Sequence, residues 1–241
     1  MSTAQVSASP SRKRSLPWVT WLTSSIGRKT IVAVTGIVLL GYVVMHLLGN
    51  LSIFISQDAI NTYATRLHDL GGLLWIARIG LLVAFVAHIY ATIQLTIENR
   101  ASRPQKYAVQ TRQRSTVFAR TMAYSGIVVL IFVFIHLAHF TWKNLHPEYQ
   151  HLFDSENRPD VYSMVIHGFE SVWMSAFYIF AIGLLAFHLS HGIGSLFQTL
   201  GITNKKLQPL FTQGGRIIAW LLFLGYSSIP IAVLTHVLRA P

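Results

Sequence analysis

The chain has 241 residues, of which 52% are hydrophobic and only 11% are charged. Soluble domains carry about 25% charged residues, so this composition excludes an ordinary soluble domain and indicates a membrane protein. The absence of cysteine excludes cysteine-ligated iron–sulfur clusters, disulfides, thiol catalysis and covalent haem attachment through Cys-x-x-Cys-His.

Five apolar stretches have the ~20 residues that a helix needs to cross the hydrocarbon core. We therefore predict an all-α membrane protein whose spans are residues 31–54, 73–97, 121–142, 171–199 and 217–238. Residues 1–30 are predicted to be a basic leader and an interfacial segment, and residues 31–241 a single five-helix transmembrane domain. The polar residues 55–72 predict a short surface helix, and residues 143–168 the longest loop.

The basic residues set the predicted orientation. The net charge is +11, and most of the excess lies beside hydrophobic spans, which favours a topological role over nucleic-acid binding. An N-terminus in the cytoplasm and a C-terminus outside place 14 of the 19 basic residues inside, in a bacterial cytoplasmic membrane. These are Arg12, Lys13, Arg14, Arg28, Lys29, Arg100, Arg103, Lys106, Arg112, Arg114, Arg120, Lys205, Lys206 and Arg216.

A short phrase occurs twice. Residues 35–38 read Thr-Gly-Ile-Val and residues 125–128 read Ser-Gly-Ile-Val, and in both copies a His-Leu pair begins ten residues after the glycine. The two histidines are His46 and His136. An imidazole inside a membrane span is costly and needs a reason, and a single one is more often a polar helix–helix contact than a ligand. The repeat favours a duplicated helix pair.

Four spans carry a histidine, and the predicted topology fixes their depths. At 1.5 Å per residue, His46 and His136 lie about 25 and 24 Å from the inner boundary, near the outer face. His88 and His188 lie about 18 and 20 Å from the same boundary. Two pairs at two levels predict two bis-imidazole haem sites stacked along the membrane normal, in a bundle formed by the first four spans.

Other histidines compete for these roles. His139 and His191 follow His136 and His188 by three residues, on nearby helix faces, and spacing alone leaves them open as ligands. Zinc or di-iron sites are disfavoured because no carboxylate accompanies them in sequence. His167 and His236 lie near span ends, where interfacial solvation is the expected role, and the loop histidines show no pattern: His68, His146 and His151. Five glycines are expected to admit a flat macrocycle or close helix contact: Gly36, Gly41, Gly80, Gly126 and Gly183.

Nearly the whole chain resembles the single-polypeptide, five-helix, two-haem cytochrome b subunit of succinate:quinone oxidoreductases (succinate dehydrogenase and fumarate reductase). The most specific part follows His188. The matching segments are Ser24-Ser25-Ile26-Gly27-Arg28-Lys29, His46-Leu47-Leu48-Gly49-Asn50-Leu51, Ala101-x-Arg103-Pro104-x-x-Tyr107, Ser125-Gly126 with His136-Leu137 and Phe140, His188-Leu189-Ser190-His191-Gly192, and Ser195-x-x-Gln198-Thr199-Leu200-Gly201.

The resemblance implies two b-type haems, the outer one on His46 and His136 and the inner one on His88 and His188. It implies a membrane anchor for a flavoprotein subunit and an iron–sulfur subunit on the cytoplasmic face. Succinate–fumarate chemistry then belongs to those partners, and electrons pass between the iron–sulfur subunit, the inner haem, the outer haem and a quinone, expected to be menaquinone. Basic residues of the inner side are candidates for haem propionates or partner contacts, alongside their topological role: Arg28, Lys29 and Arg103.

A quinone near the outer haem needs a proton donor or acceptor at that face. Glu170 is expected to start the fourth span, with His167 beside it, and Arg78 lies in the outer part of the second span. Each also has an ordinary interpretation, since Glu170 suits a helix N-terminus and Arg78 suits snorkelling.

Two other functions fit parts of the pattern. The cytochrome b subunit of a membrane hydrogenase or formate dehydrogenase also anchors its enzyme through haem-ligating histidines, and its partners would carry nickel or molybdenum. A transporter with a histidine proton relay is the alternative of another class, and the lack of an acid in the central part of any span disfavours it.

Overall fold

The computed structural model describes residues 16–102 and 117–241, except the side chains of residues 17 and 117–121. The predicted leader up to residue 15 and most of the basic segment after the second span, including Arg103, Pro104 and Tyr107, lie outside the described residues. Within the described ranges the chain is helical, with one isolated β-bridge between Phe153 and Pro159.

Eight α-helices follow one another. They are α1 (Pro17–Thr23), α2 (Ser25–Leu51), α3 (Gln57–Asp69), α4 (Gly72–Ala101), α5 (Val117–His136), α6 (Val161–Glu170), α7 (Val172–Thr199) and α8 (Leu207–Leu234). Short 3₁₀ turns occupy Ser52–Phe54 and Pro147–His151, and a π-helical turn, Leu137–Thr141, continues α5.

Among the described residues, five helices are long and apolar enough to cross a membrane: α2, α4, α5 with its π turn, α7 and α8. The predicted number of spans is therefore confirmed. The starts of two helices differ, since α2 begins at Ser25 rather than residue 31 and α8 at Leu207 rather than 217. Hydropathy marks the hydrocarbon part of a helix, whereas backbone hydrogen bonds continue into the polar interface, so Arg28 and Arg216 lie on helices.

A capped corner joins α1 to α2. The Ser24 hydroxyl accepts a hydrogen bond from the Gly27 backbone N–H at 3.0 Å, which satisfies one of the free donors at the start of α2. Gly27 is required at this corner because a Cβ there would collide with the backbone carbonyl of Trp21. Since residues 25–29 belong to α2, the predicted interfacial segment is divided between two helices.

The long helices associate in two pairs. Helix α2 packs along α4, α5 packs along α7, and α8 packs mainly on α7. The pairs meet through α2, which contacts both α7 and α8. An ion pair between Arg28 and Glu98 joins the start of α2 to the end of α4 and sets the register of that pair.

The predicted surface helix of residues 55–72 is present as α3. The predicted loop of residues 143–168, in contrast, contains most of a second short helix, α6. We use the term cap for α3, residues 142–160 and α6, and the term basic end for the opposite end, where α2 starts and α4 and α7 finish. The main apolar core lies beneath the cap and includes Ile53, Ile60, Ile166, Phe169, Tyr178, Ile182, Ile229 and Val233.

One buried amide holds the cap together. The Asn61 side chain is fully buried and donates hydrogen bonds to Asp154 and Asp160, each at 3.0 Å. Its oxygen accepts from the Tyr162 backbone N–H at 3.1 Å. Asp160 also caps the start of α6 by accepting from Ser163. Asn61 therefore ties α3 to the loop and to α6, and Gln57 adds a further bond to Asp160.

The two aspartates are held as carboxylates. Burial by itself would raise the pKa of Asp154, but hydrogen bonds from Arg158 and Asn61 outweigh that effect and lower the pKa to about 2. Burial opposes the shift at Asp160 as well, where hydrogen bonds from Ser163, Asn61 and Gln57 lower the pKa. Both carboxylates accept several N–H bonds, and Asp160 also accepts the Ser163 hydroxyl, all of which favour the charged form.

Replacing Asn61 by Ala is expected to loosen the cap. The change leaves two buried carboxylates and a backbone N–H with fewer partners, at a cost of about 1–3 kcal/mol. Hydrogen exchange of α3 and α6 in detergent-solubilised protein measures this opening. His68→Ala is the control, because His68 is exposed on the same helix. Equal exchange in the Asn61 variant and the wild type would contradict the role given to the amide.

The cap should also weaken in acid. A carboxylate with a depressed pKa stabilises the folded cap above its ordinary value, about 3.9, and loses this contribution as the pH falls through the folded value. We therefore expect the cap to open between about pH 4 and pH 2, with no change between pH 5 and 8 from these groups. Exchange or proteolysis of α6 across this range checks the window.

Candidate functional site

His46 and His136 face each other near the cap. His46 lies in the last turns of α2 and His136 at the end of α5. Their ring centroids are 5.8 Å apart and the ring planes are nearly perpendicular, at 83°. The two copies of the repeated phrase thus bring their histidines together, as equal depth on two outward-going spans predicted.

Residues of α2 and α8 surround the His46 ring. Tyr42, one turn earlier, stacks on it with centroids 5.4 Å apart and planes 13° apart. The Asn50 amide donates to the His46 carbonyl at 2.7 Å and lies 3.4 Å from both ring nitrogens. Tyr226 of α8 lies 6.2 Å from the ring, centroid to centroid, and donates its hydroxyl hydrogen to the Val43 carbonyl.

His136 is held from α7. The Tyr178 hydroxyl lies 3.5 Å from the Nδ1 atom of His136 and 3.0 Å from the Nδ1 atom of His139. His139 itself is fully buried, with Phe140 stacked on its ring at 3.9 Å. His139 lies in the π turn, where the bond from the Trp142 N–H to the Leu137 carbonyl has i→i+5 spacing.

The second pair lies further toward the basic end. The Nδ1 atom of His88, on α4, lies 3.0 Å from the Thr35 hydroxyl of α2. The Nδ1 atom of His188, on α7, lies 3.4 Å from the Ser125 hydroxyl of α5. The same kind of contact, between a hydroxyl group and the Nδ1 atom of a histidine, therefore occurs in both helix pairs.

The glycine of each phrase lies against the same histidine. A Cβ built on Gly36 would lie 3.6 Å from the Cε1 atom of His88, and one on Gly126 would lie 3.6 Å from the Cε1 atom of His188. Of the other glycines expected to admit a macrocycle, Gly183 faces Phe223, and Gly41 and Gly80 have no neighbour within 4 Å among the described residues.

The two histidine levels are further apart than the sequence predicted. In the register set by the Arg28–Glu98 pair, His46 lies 18 residues beyond Arg28 and His88 ten residues before Glu98, which separates the levels by about 12 Å. Depths counted from flanking charges gave about 7 Å for these two histidines. The difference arises because the charges on neighbouring helices lie at different heights.

The cap-end pair has the spacing that two axial ligands of one metal require. An imidazole nitrogen lies about 2 Å from a bound first-row metal, so two rings on opposite sides of one iron have centroids roughly 6 Å apart. The observed 5.8 Å matches this value. The described residues contain no group of three or more histidine, aspartate or glutamate side chains able to hold a metal ion, whereas haem iron needs only two axial side chains.

The three candidate quinone residues are divided between two places. His167 and Glu170 lie together on α6, with the His167 Nδ1 atom 3.2 Å from a Glu170 carboxylate oxygen, and both side chains are exposed. Arg78 is exposed on α4, with its guanidinium 5.2 Å from the Trp75 ring centroid. The described contacts do not join Arg78 to the other two.

The prediction that Glu170 starts the fourth span was wrong. Glu170 is the last residue of α6, and α7 starts at Val172 with Ser171 as its cap. Glu170 therefore does not serve as an acid in the first turn of a helix. It lines a cavity of about 230 Å³ under the cap, together with Ile166, Val233, His236, Leu238, Arg239 and Ala240.

At the basic end, Arg28 is paired with Glu98, and Arg103 lies outside the described residues. Lys29 lines a cleft of about 490 Å³ between the start of α2 and the end of α7. The other lining residues are Ile26, Thr30, Ser195, Gln198 and Thr199. Among the basic candidates for propionate or partner contacts, Lys29 therefore lies in a cleft lined mainly by polar residues.

Four side chains at these sites were missed by the sequence reasoning: Thr35, Asn50, Ser125 and Tyr178. Thr35 and Ser125 had a visible signal, since they open the two copies of the phrase. Tyr178 had none, because a tyrosine in an apolar span suits packing as well as hydrogen bonding. Comparisons with protein-family models, with curated proteins and with solved structures find no match to the chain.

Proposed function

We propose that the chain is the two-haem cytochrome b membrane-anchor subunit of a succinate:quinone oxidoreductase. The observation that carries the proposal is the facing pair of His46 and His136 at axial-ligand spacing, together with a second pair at another level. His46 and His136 would hold one b-type haem, and His88 and His188 the other. The bound haems would supply one-electron transfer between the two sides of the membrane.

The chain's own residues have distinct tasks in this proposal. The four histidines present imidazole nitrogens to the two irons, and the residues around them fix the rings. Tyr178 orients His136, while Tyr42 limits rotation of His46 by stacking. Lys29 and the polar cleft beside it suit a haem propionate at the basic end. Apolar helices around each pair exclude water, which keeps the sites in a medium of low dielectric constant.

The succinate assignment rests on the sequence segments that resemble this family, above all residues 188–192 and 195–201. A flavoprotein subunit and an iron–sulfur subunit would bind at the basic end and carry out the succinate–fumarate chemistry. The excess of basic residues at that end supports the proposal that it faces the cytoplasm of a bacterium, in line with the positive-inside rule. The cap then faces outward, and the N-terminus lies inside.

Substitution of the histidines tests the proposed ligand sets. Purified wild-type protein should contain two haems per chain in a reduced-minus-oxidised spectrum. His88→Ala and His188→Ala should each lose the same haem and spare the other, while His46→Ala and His136→Ala lose the second one. His68→Ala, an exposed change on α3, should keep both.

Wild-type protein without haem would refute the proposed function outright. A His139→Ala variant that loses a haem while His136→Ala keeps it would instead reassign the ligand within the first His-x-x-His. Co-purification of a flavoprotein with covalently bound flavin distinguishes the succinate enzyme from a nickel hydrogenase or a molybdenum-containing formate dehydrogenase.

We further place the quinone, expected to be menaquinone, at the cap. Glu170 lines the cavity there with His236 and Arg239, and His167 lies within hydrogen-bonding reach of its carboxylate. A carboxylate that is hydrogen-bonded to an imidazole and open to solvent is suited to accept a proton from a quinol and release it. Arg78 remains a second candidate on α4, without a described contact to this cavity.

Glu170→Gln should slow electron entry from quinol about 100-fold, the effect typical of losing a general base, with haem content unchanged. The rate of haem reduction by a soluble menaquinol analogue measures it. Glu148→Gln is a matched control, because Glu148 is also an exposed carboxylate beside a histidine, His146, at 2.8 Å. A Glu170 variant as fast as the control would remove Glu170 from the quinone site.

A further inference from the structure

The start of the repeated phrase contacts a different histidine from the one at its end. Each copy ends on a histidine of the cap-end pair, but the hydroxyl and glycine that open it lie against a histidine on the following span: Thr35 and Gly36 against His88, and Ser125 and Gly126 against His188. Since the same contact occurs twice, in two helix pairs related by the repeat, a chance contact is a poor explanation.

The hydrogen-bond directions at Thr35 determine which form of His88 is present. The Thr35 hydroxyl donates its one hydrogen to the Ile31 carbonyl at 2.6 Å, so toward His88 its oxygen acts as an acceptor. The Nδ1 atom, 3.0 Å away, must then carry the ring hydrogen. Nε2 is therefore left with a free electron pair.

Ser125 repeats this arrangement with a longer contact. Its hydroxyl donates to the Met122 carbonyl at 3.1 Å, and its oxygen lies 3.4 Å from the Nδ1 atom of His188. The Met122 carbonyl is a further acceptor for that ring. Both histidines thus have Nδ1 engaged by a neighbouring helix and Nε2 free. Gly36 and Gly126 lie beside the Cε1 atoms of His88 and His188, respectively. Because glycine has no side chain beyond a hydrogen, neither residue covers that edge of the ring.

We propose that Thr35 and Ser125 are a matched pair of positioning residues that fix His88 and His188 as Nε2 ligands of one haem iron. This rests on the proposed function. A ligand histidine that donates its other N–H to an acceptor is held in one orientation and becomes more basic. A more basic ligand stabilises oxidised iron, so the two hydroxyls lower the reduction potential of the inner haem.

Removal of either hydroxyl should raise one midpoint potential. In the purified full-length protein, Thr35→Val and Ser125→Ala are each expected to shift the potential of the same haem upward and leave the other unchanged. Thr35→Val should give the larger shift because its contact is shorter. Optical redox titration resolves the two potentials, and low-temperature electron paramagnetic resonance reports the ring orientation through the g-values of that haem.

Conservative and control variants separate positioning from general stability. Thr35→Ser and Ser125→Thr keep the acceptor oxygen and should show the wild-type potential. This expectation holds even if Thr35→Val or Ser125→Ala loses haem. Thr92→Val removes a hydroxyl that donates to the His88 backbone carbonyl at 2.7 Å rather than meeting the ring, and it should leave both potentials unchanged.

Unchanged potentials and g-values in Thr35→Val and Ser125→Ala, with both haems retained, would overturn the positioning role and leave the proposed function intact. A Thr35→Ser variant that does not recover the wild-type potential would also overturn it. Shifts on two different haems would refute the pairing of His88 with His188. Absence of haem from the wild type would refute the proposed function itself.

Discussion

A polar side chain inside a membrane must find its partner within the protein, because hydrocarbon offers none. This constraint shapes the interior of the chain, where imidazole rings meet hydroxyl groups of neighbouring helices. Thr35 and Ser125 return their own hydrogens to carbonyls of the preceding turn, which leaves their oxygens free to accept from another helix. One polar contact within the spans thereby joins α2 to α4, and an equivalent contact joins α5 to α7.

The polar and charged groups of the cap, at the membrane surface, also find partners within the protein. Asp154 and Asp160 accept hydrogen bonds from the buried Asn61 amide, Asp154 is also bonded to Arg158, and Asp160 caps the start of α6. Beneath the cap, apolar residues of α3, α6, α7 and α8 form the main core. Tyr178 belongs to this core and its ring contacts His136, so the core beneath the cap extends to the histidine pair nearest to it.

The spans could be predicted from sequence because hydropathy is read along one dimension, and the pairing of His46 with His136 followed from equal depth on parallel helices. The features that the sequence did not predict correctly depend on contacts between helices. The distance between histidine levels needed the register set by Arg28 and Glu98. The place of Glu170 needed α6, which charge and polarity around residues 154–160 concealed. The role of Thr35 needed the orientation of α4 against α2.

The repeat can now be assigned to a whole helix pair rather than to one phrase. The copies are offset by 90 residues at the phrase and its histidine, but by 100 residues between His88 and His188. The ten extra residues of the second half must lie between α5 and α7, where the cap holds residues 142–160 and α6, whereas the first half has α3 there. The contacts within the spans are equivalent in the two halves, while the connections between the spans differ in length. Duplication of a histidine-bearing helix pair, as the repeat predicted, would account for both observations.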